Sequence, residues 1–282
     1  MSYGGDTLNT AVYLARLGVA VDYVTALGDD PYSDWMIAQW RAEGVGTDLV
    51  VRAEGRVPGL YAIRTDPEGE RQFFYWRDQA PACDLFSLPS NATVMERLTE
   101  YDWIYLTGVT LSLYGAEQRA RLFALLDKAR TNGAKIGFDS NYRPRGWSDT
   151  NSARAVMTEV LGRTDLAAPT LDDDRQVFGD RDAHACADRL HAVGVGEVVV
   201  KLDARGCLVS HSGKRSLVPT VVRAKPVDTT GAGDSFNAGY LAARLAGADG
   251  FEAAQRAHRL AGEVILHPGA VMPRTAMPEV ES

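Results

Sequence analysis

The chain has 282 residues, 45% hydrophobic and 24% charged, enough material for a sizeable globular core. A net charge of −7 with no run of basic residues argues against nucleic-acid binding, which needs clustered lysine and arginine. Cys83, Cys186 and Cys207 form no CxxC pair, no apolar run approaches a membrane span and no signal peptide opens the chain, so disulfide scaffolding, structural zinc and a membrane role are disfavoured and a reducing cytoplasm is expected.

The opening "MSYGGDTLNTAVYLARLGV" enters a glycine pair, Gly4 and Gly5, and then a helix from Asp6 or Thr7, with no preceding strand. Leu8, Val12 and Ala15 fall on one helical stripe. Residues 57–78 alternate in two segments around "DPEG", which predicts a β-hairpin projecting from the main body. Phe73, Tyr75 and Arg77 share a face of its second strand by period two.

From residue 102 the pattern becomes strand, helix, strand. Strands are predicted at 102–109, 134–141, 164–170 and 196–203, with helices at 116–133 and 150–162 and in "AHACADRLHAVGV" between them. Short connections between such elements predict an α/β fold: a doubly wound, mostly parallel sheet with helices on both faces. Ligands bind such sheets beyond the strands' carboxyl ends, where Gly108, Asp139, Asn141, Thr170 and Lys201 fall. The tail from residue 272 is expected to be ordered only in part.

The stretch "KPVDTTGAGDSF", residues 225–236, carries the sharpest chemical signal. Gly231 and Gly233 allow a close backbone approach, and the following segment places Phe236, Tyr240, Leu241 and Leu245 on one stripe with Gly247 as its stop. A glycine loop opening a helix aims free N–H groups and the dipole at an anion. Asp234 beside an anion site would repel a phosphate, unless it serves as the base that takes a proton from an alcohol during phosphoryl transfer. Its other reading is an ordinary helix cap.

"DTTGAGDSFNAGY" resembles the C-terminal signature of the ribokinase-like carbohydrate kinases, and "GGDTLNTAVYLARLGV" resembles their N-terminal one. The first resemblance implies that Gly231, Ala232 and Gly233 form an anion hole, in which the amides of Ala232, Gly233 and Asp234 hold the transferring group, with Asp234 as catalytic base. The second implies a sugar site lined by Gly4, Gly5, Asp6 and Asn9. "FFYWRDQAPA", "FDSNYRPRGW" and "PTLDDD" resemble the members of that family that phosphorylate 2-keto-3-deoxygluconate, and the likeness runs from residue 4 to about 278. It places Tyr61, Tyr75, Arg77 and Arg143 at the substrate, where arginine suits a carboxylate. The alternative for each arginine is a surface ion pair of about 0–1 kcal/mol.

For ATP, "KLDARG" resembles the family's nucleotide segment, implying roles for Lys201 and Gly206, with Asn141, Gly231 and Gly233; Asp203 stands where the family usually has glycine. The family's Asn-x-x-Glu motif, associated with Mg²⁺, is replaced by Thr170 and Asp173, which leaves an oxygen ligand acting through water. Asp228 is a second cation candidate, or turn chemistry. The resemblance further implies one kinase domain over residues 1–282, a hairpin lid pairing subunits into a homo-oligomer, and about thirty residues, including a central strand, ahead of the glycine pair. Two rivals remain open: a fructokinase- or ribokinase-like activity on a neutral sugar, and an inactive sugar-binding relative, against which the intact "GAGD" argues.

Overall fold

The computed structural model describes residues 2–65, 71–220 and 225–278, and the side chains of residues 63–65, 71, 73, 75 and 90 lie outside that description. Helix α1 (Asp6–Arg16) leads to strand β1 (Thr25–Gly28), helix α2 (Pro31–Ala42) and strand β2 (Val50–Ala53). Asp30 starts α2 by accepting the Tyr32 and Ser33 amides, with Pro31 at the first helical position. β1 and β2 pair in parallel as a small sheet of their own.

Strands β3 (Leu60–Thr65) and β4 (Arg71–Trp76) form the expected antiparallel hairpin, with Tyr61 opposite Tyr75. The "DPEG" turn falls at 66–69, outside the described residues. Beyond it come α3 (Ala92–Arg97), β5 (Trp103–Thr107), α4 (Gly108–Ser112), α5 (Ala116–Thr131), β6 (Lys135–Asp139), α6 (Thr150–Leu161) and β7 (Leu166–Ala167). The chain continues through α7 (Leu171–Phe178), α8 (Ala183–Ala192), β8 (Glu197–Lys201), β9 (Cys207–His211), β10 (Lys214–Val218), α9 (Ala232–Leu245) and α10 (Gly250–Val264).

The main sheet has six strands in the order β10-β9-β8-β7-β6-β5. β5 to β8 run parallel, as their apolar runs predict, and β9 and β10 add an antiparallel edge that the periodicity did not reveal. β8 shows why helices cover both faces. Val198 and Val200 enter a core with Leu126, Ile136 and Leu190, whereas Val199 enters another with Tyr13, Phe236 and Tyr240. Each valine, fully buried, contributes roughly 1.5–3 kcal/mol to holding its layer.

Three local expectations are corrected. The run at 164–170 is strand only at Leu166–Ala167, joined later by a bridge from Thr170 to Lys201. Leu245, placed on the buried stripe of α9, is exposed at the last residue of that helix. Gly108 opens α4 and packs against backbone: a Cβ there would stand 2.0 Å from the Ser140 carbonyl oxygen. Of the tail, residues 272–278 are described and include a single turn at Arg274–Ala276. Among the described residues no helix is long and apolar enough to cross a membrane.

Candidate active site

The glycine loop is built around one left-handed residue. Gly231 has φ 78°, and a Cβ on it would lie 2.6 Å from the Ala270 carbonyl oxygen, so only glycine fits. Asp228 fixes the loop from below. Its Oδ1 accepts the Thr230 amide (3.0 Å) and hydroxyl (2.7 Å), and its Oδ2 accepts the Gly269 amide (2.7 Å). With both oxygens turned to loop donors, Asp228 does the turn chemistry that was its second reading.

Ser235 is the first amide to join the ladder of α9, donating to the Gly231 carbonyl at 2.9 Å. The Ala232 amide donates to the Thr229 carbonyl at 3.2 Å. The amides of Gly233 and Asp234 are therefore the orphan donors of the helix start, which narrows the expected three donors to two with a third partly engaged.

Asp234 stands on the first turn of α9, half-buried at the cleft wall. Its Oδ2 accepts from Asn9 Nδ2 at 2.8 Å, and Thr10 donates its hydroxyl to the Asp234 carbonyl at 3.3 Å. Burial, and then the nearby Asp6 carboxylate, push the Asp234 carboxyl up to about 7. Asp6 is itself raised by burial while accepting the Thr107 hydroxyl and, at 2.9 Å, Asn141 Nδ2. Asn141, expected at the nucleotide, lines the cleft, and its Nδ2 donates to Asp6 and holds that carboxylate between the ends of β5 and β6.

Asn9 is 4% exposed, and its Oδ1 has no partner. A Cβ on Gly4 would meet Tyr61 Oη at 3.3 Å and Asn9 Oδ1 at 3.8 Å, so this glycine leaves room where three predicted residues converge. An unpaired buried acceptor facing that room suits a sugar hydroxyl.

With two exceptions, every site residue expected from the sequence lines a single cleft of ≈ 2380 Å³. The exceptions are Asp228, beneath the loop, and Tyr75, whose side chain lies outside the described residues. Arg77 reaches the cleft just beyond β4, and Arg143 reaches it from the β6 end. Arg143 donates to Asp173 Oδ2 at 3.4 Å, and the same oxygen accepts the Tyr142 amide at 3.2 Å. Burial raises the Asp173 carboxyl, and Arg143 opposes that rise. Asp173 is half-buried and lines the cleft, and its carboxylate is the oxygen donor that the sequence reading assigns to a hydrated divalent cation.

On the nucleotide side Gly206 has φ 103°, and a Cβ would collide with the Val218 carbonyl at 2.1 Å. Asp203 adopts φ 53°, the left-handed conformation that explains why glycine is usual at this position. Lys201 Nζ lies 3.8 Å from where a Cβ on Gly233 would stand. Sequence reasoning missed Gln72, Phe74 and His258, which also line the cleft, and Thr107, Tyr105 and Asn237 behind it. Asn237 had a signal: it follows Asp234 by three residues on one helix face.

Residues 1–276 match the model of the pfkB family of carbohydrate kinases. A protein of Dickeya dadantii named 2-dehydro-3-deoxygluconokinase is 46% identical over 98% of this chain and 91% of its own. One of the same name from Escherichia coli K12 is 45% identical, covering 98% of this chain and 92% of its own. The solved 2-dehydro-3-deoxygluconokinase of Thermotoga maritima superposes with a TM-score of 0.84 at 24% identity, covering 96% of this chain and 87% of that one.

Proposed function

Because the chain belongs to the pfkB family of carbohydrate kinases, we propose that it transfers the γ-phosphoryl group of ATP to 2-keto-3-deoxygluconate. This substrate, under its other name 2-dehydro-3-deoxygluconate, is the one named by its relatives at 45–46% identity. The product is 2-keto-3-deoxy-6-phosphogluconate. The observation that carries the reading is the contact between Asn9 and Asp234, which joins the glycine-pair helix to the first turn of the anion-binding helix.

Asn9 and Tyr61 hold the sugar's hydroxyls, and its primary hydroxyl rests against Asp234. Asp234 takes the hydroxyl proton as the new oxygen–phosphorus bond forms and the bond to the ADP oxygen breaks. A base raised to about 7 is matched to this task near neutral pH. The Gly233 and Asp234 amides face the charge gathering on the transferring group, with the dipole of α9 behind them. Arg77 and Arg143 meet the sugar-acid carboxylate, which a neutral-sugar kinase has no need to hold.

Asp173 would hold the hydration shell of a Mg²⁺ bound with the nucleotide, which would supply neutralisation of phosphate charge. The chain acts as one kinase domain whose hairpin excludes water over the substrate and pairs with a second copy. Cysteine usage fits work in the cytoplasm.

The test is ADP release with Mg-ATP against 2-keto-3-deoxygluconate, its galactonate epimer, fructose, ribose and no sugar. Turnover confined to the keto-deoxy acids supports the reading. Turnover on fructose or ribose alone removes the carboxylate argument while keeping the kinase.

A further inference from the structure

Behind the anion loop lies a closed polar group that the steps above leave unused. Lys201 Nζ donates to Asp139 Oδ2 (2.6 Å) and to Asn237 Oδ1 (3.0 Å). Asn237 Nδ2 donates to the same Asp139 oxygen (2.7 Å) and to Tyr105 Oη (2.9 Å). Asp139, Asn237 and Lys201 are 3%, 4% and 7% exposed.

Asp139 balances the charge of the buried lysine, and Asn237 gives its ammonium a second acceptor that lies on α9 and not on the sheet. Two of the three ammonium hydrogens are taken, one by each partner, which leaves a third on an ammonium 3.8 Å from the Cβ position of Gly233. Asn237 is one helical turn beyond Asp234, on the helix whose N-terminus receives the anion. Its Oδ1 ties the ammonium to that helix, and its Nδ2 shares the Asp139 oxygen that the ammonium also meets.

We propose that Asn237 is a positioning residue for phosphoryl transfer, holding the Lys201 ammonium beneath the N-terminus of α9 where its charge serves the transferring group. The proposal rests on the kinase reading above. Tyr105 completes it by taking the second amide hydrogen, which fixes the orientation of the Asn237 side chain.

The test is a double-mutant cycle with Asn237→Leu, Lys201→Met and the pair. It is read on kcat with 2-keto-3-deoxygluconate and on the dissociation constant of Mg-ATP. Asn237→Leu is expected to lower kcat by about tenfold to a hundredfold, the scale of a displaced charged group, with KM for the sugar within about twofold. The pair should lose no more than Lys201→Met alone, because Asn237 acts through the lysine. Additive losses in the cycle would overturn the proposal. A wild type silent on the sugar acid would sink the substrate reading, while the Mg-ATP cycle still decides this one.

Should the lysine variants fail to fold, Asn237→Asp supplies the second measurement. Asp234 is faced by Asp6, Asn9 and Tyr13 from α1, Tyr105 from β5, Asp139 from β6 and Lys201 from β8. A new carboxylate at 237 adds like charge to that set, so the acidic limb of kcat/KM should move up by about one unit. An unmoved limb with a merely lowered unfolding temperature would assign Asn237 a structural role and overturn the proposal.

Discussion

Asn9 Nδ2 donates to Asp234 Oδ2 at 2.8 Å, so the first helix of the chain holds the base that stands at the start of the ninth, 225 residues later. The bond favours the ionised carboxylate against the burial and the Asp6 charge that raise it. Asn9→Leu should therefore move the acidic limb of kcat/KM upward from about 7, by roughly one unit, and raise KM for the sugar. A pH–rate profile of the two proteins checks this; superimposable limbs would separate Asn9 from the base.

The same shift has a consequence for stability. A carboxyl raised in the folded state contributes stability that is full below its unfolded value near 4 and is lost as pH rises through about 7. Asp234→Asn removes that penalty. At pH 8 the variant should be more stable than the wild type by up to about 4 kcal/mol, from a rise of 3.8 to about 7 at about 1.4 kcal/mol per pH unit, and the gap should close by pH 4. Thermal unfolding at the two pH values measures it, and a gap that is constant with pH would contradict the shift.

Gly231→Ala forces a left-handed φ of 78° on a residue with a side chain and drives a Cβ to 2.6 Å from the Ala270 carbonyl. A loss of about 1–3 kcal/mol in stability is expected, with kcat falling further as the Gly233 and Asp234 amides shift. Denaturant unfolding alongside kinetics separates the two effects. Gly269→Ala, at φ 84° with nothing near its Cβ position, should cost less than Gly231→Ala because it meets strain without collision.

Arg77→Ala should reduce kcat/KM for the sugar acid by about 10²-fold while changing any residual turnover of a neutral sugar little, since a charge-assisted contact to a carboxylate is worth about 1.5–3 kcal/mol. Equal losses on both substrates would make Arg77 a support of the hairpin.

Sequence periodicity foretold β5, β6 and β8 because each is a short, mainly apolar run, and β6 and β8 end in a charged residue at the cleft, Asp139 and Lys201. β9 and β10 were hidden because an edge pair such as "CLVSH" and "KRSLV" mixes charge and apolar residues without a clean repeat. Within the site, the glycines and Asp234 were legible since their conformations and charge need those residue types. The partners of Asp6 were not: Thr107 and Asn141 meet it 101 and 135 residues away, across strand ends that only the folded sheet brings together. Arg143 shows the limit of reading residues singly, because its ion pair with Asp173 joins a predicted substrate contact to a predicted cation ligand.

The most direct test of the account is the turnover of Asp234→Asn with Mg-ATP and 2-keto-3-deoxygluconate beside the wild type, with folding checked by circular dichroism. The account predicts a folded variant whose kcat falls on the order of 10²–10⁴-fold, the loss expected for removing a general base. A folded variant with near-wild-type turnover would contradict it, and the base would have to be sought elsewhere in the cleft.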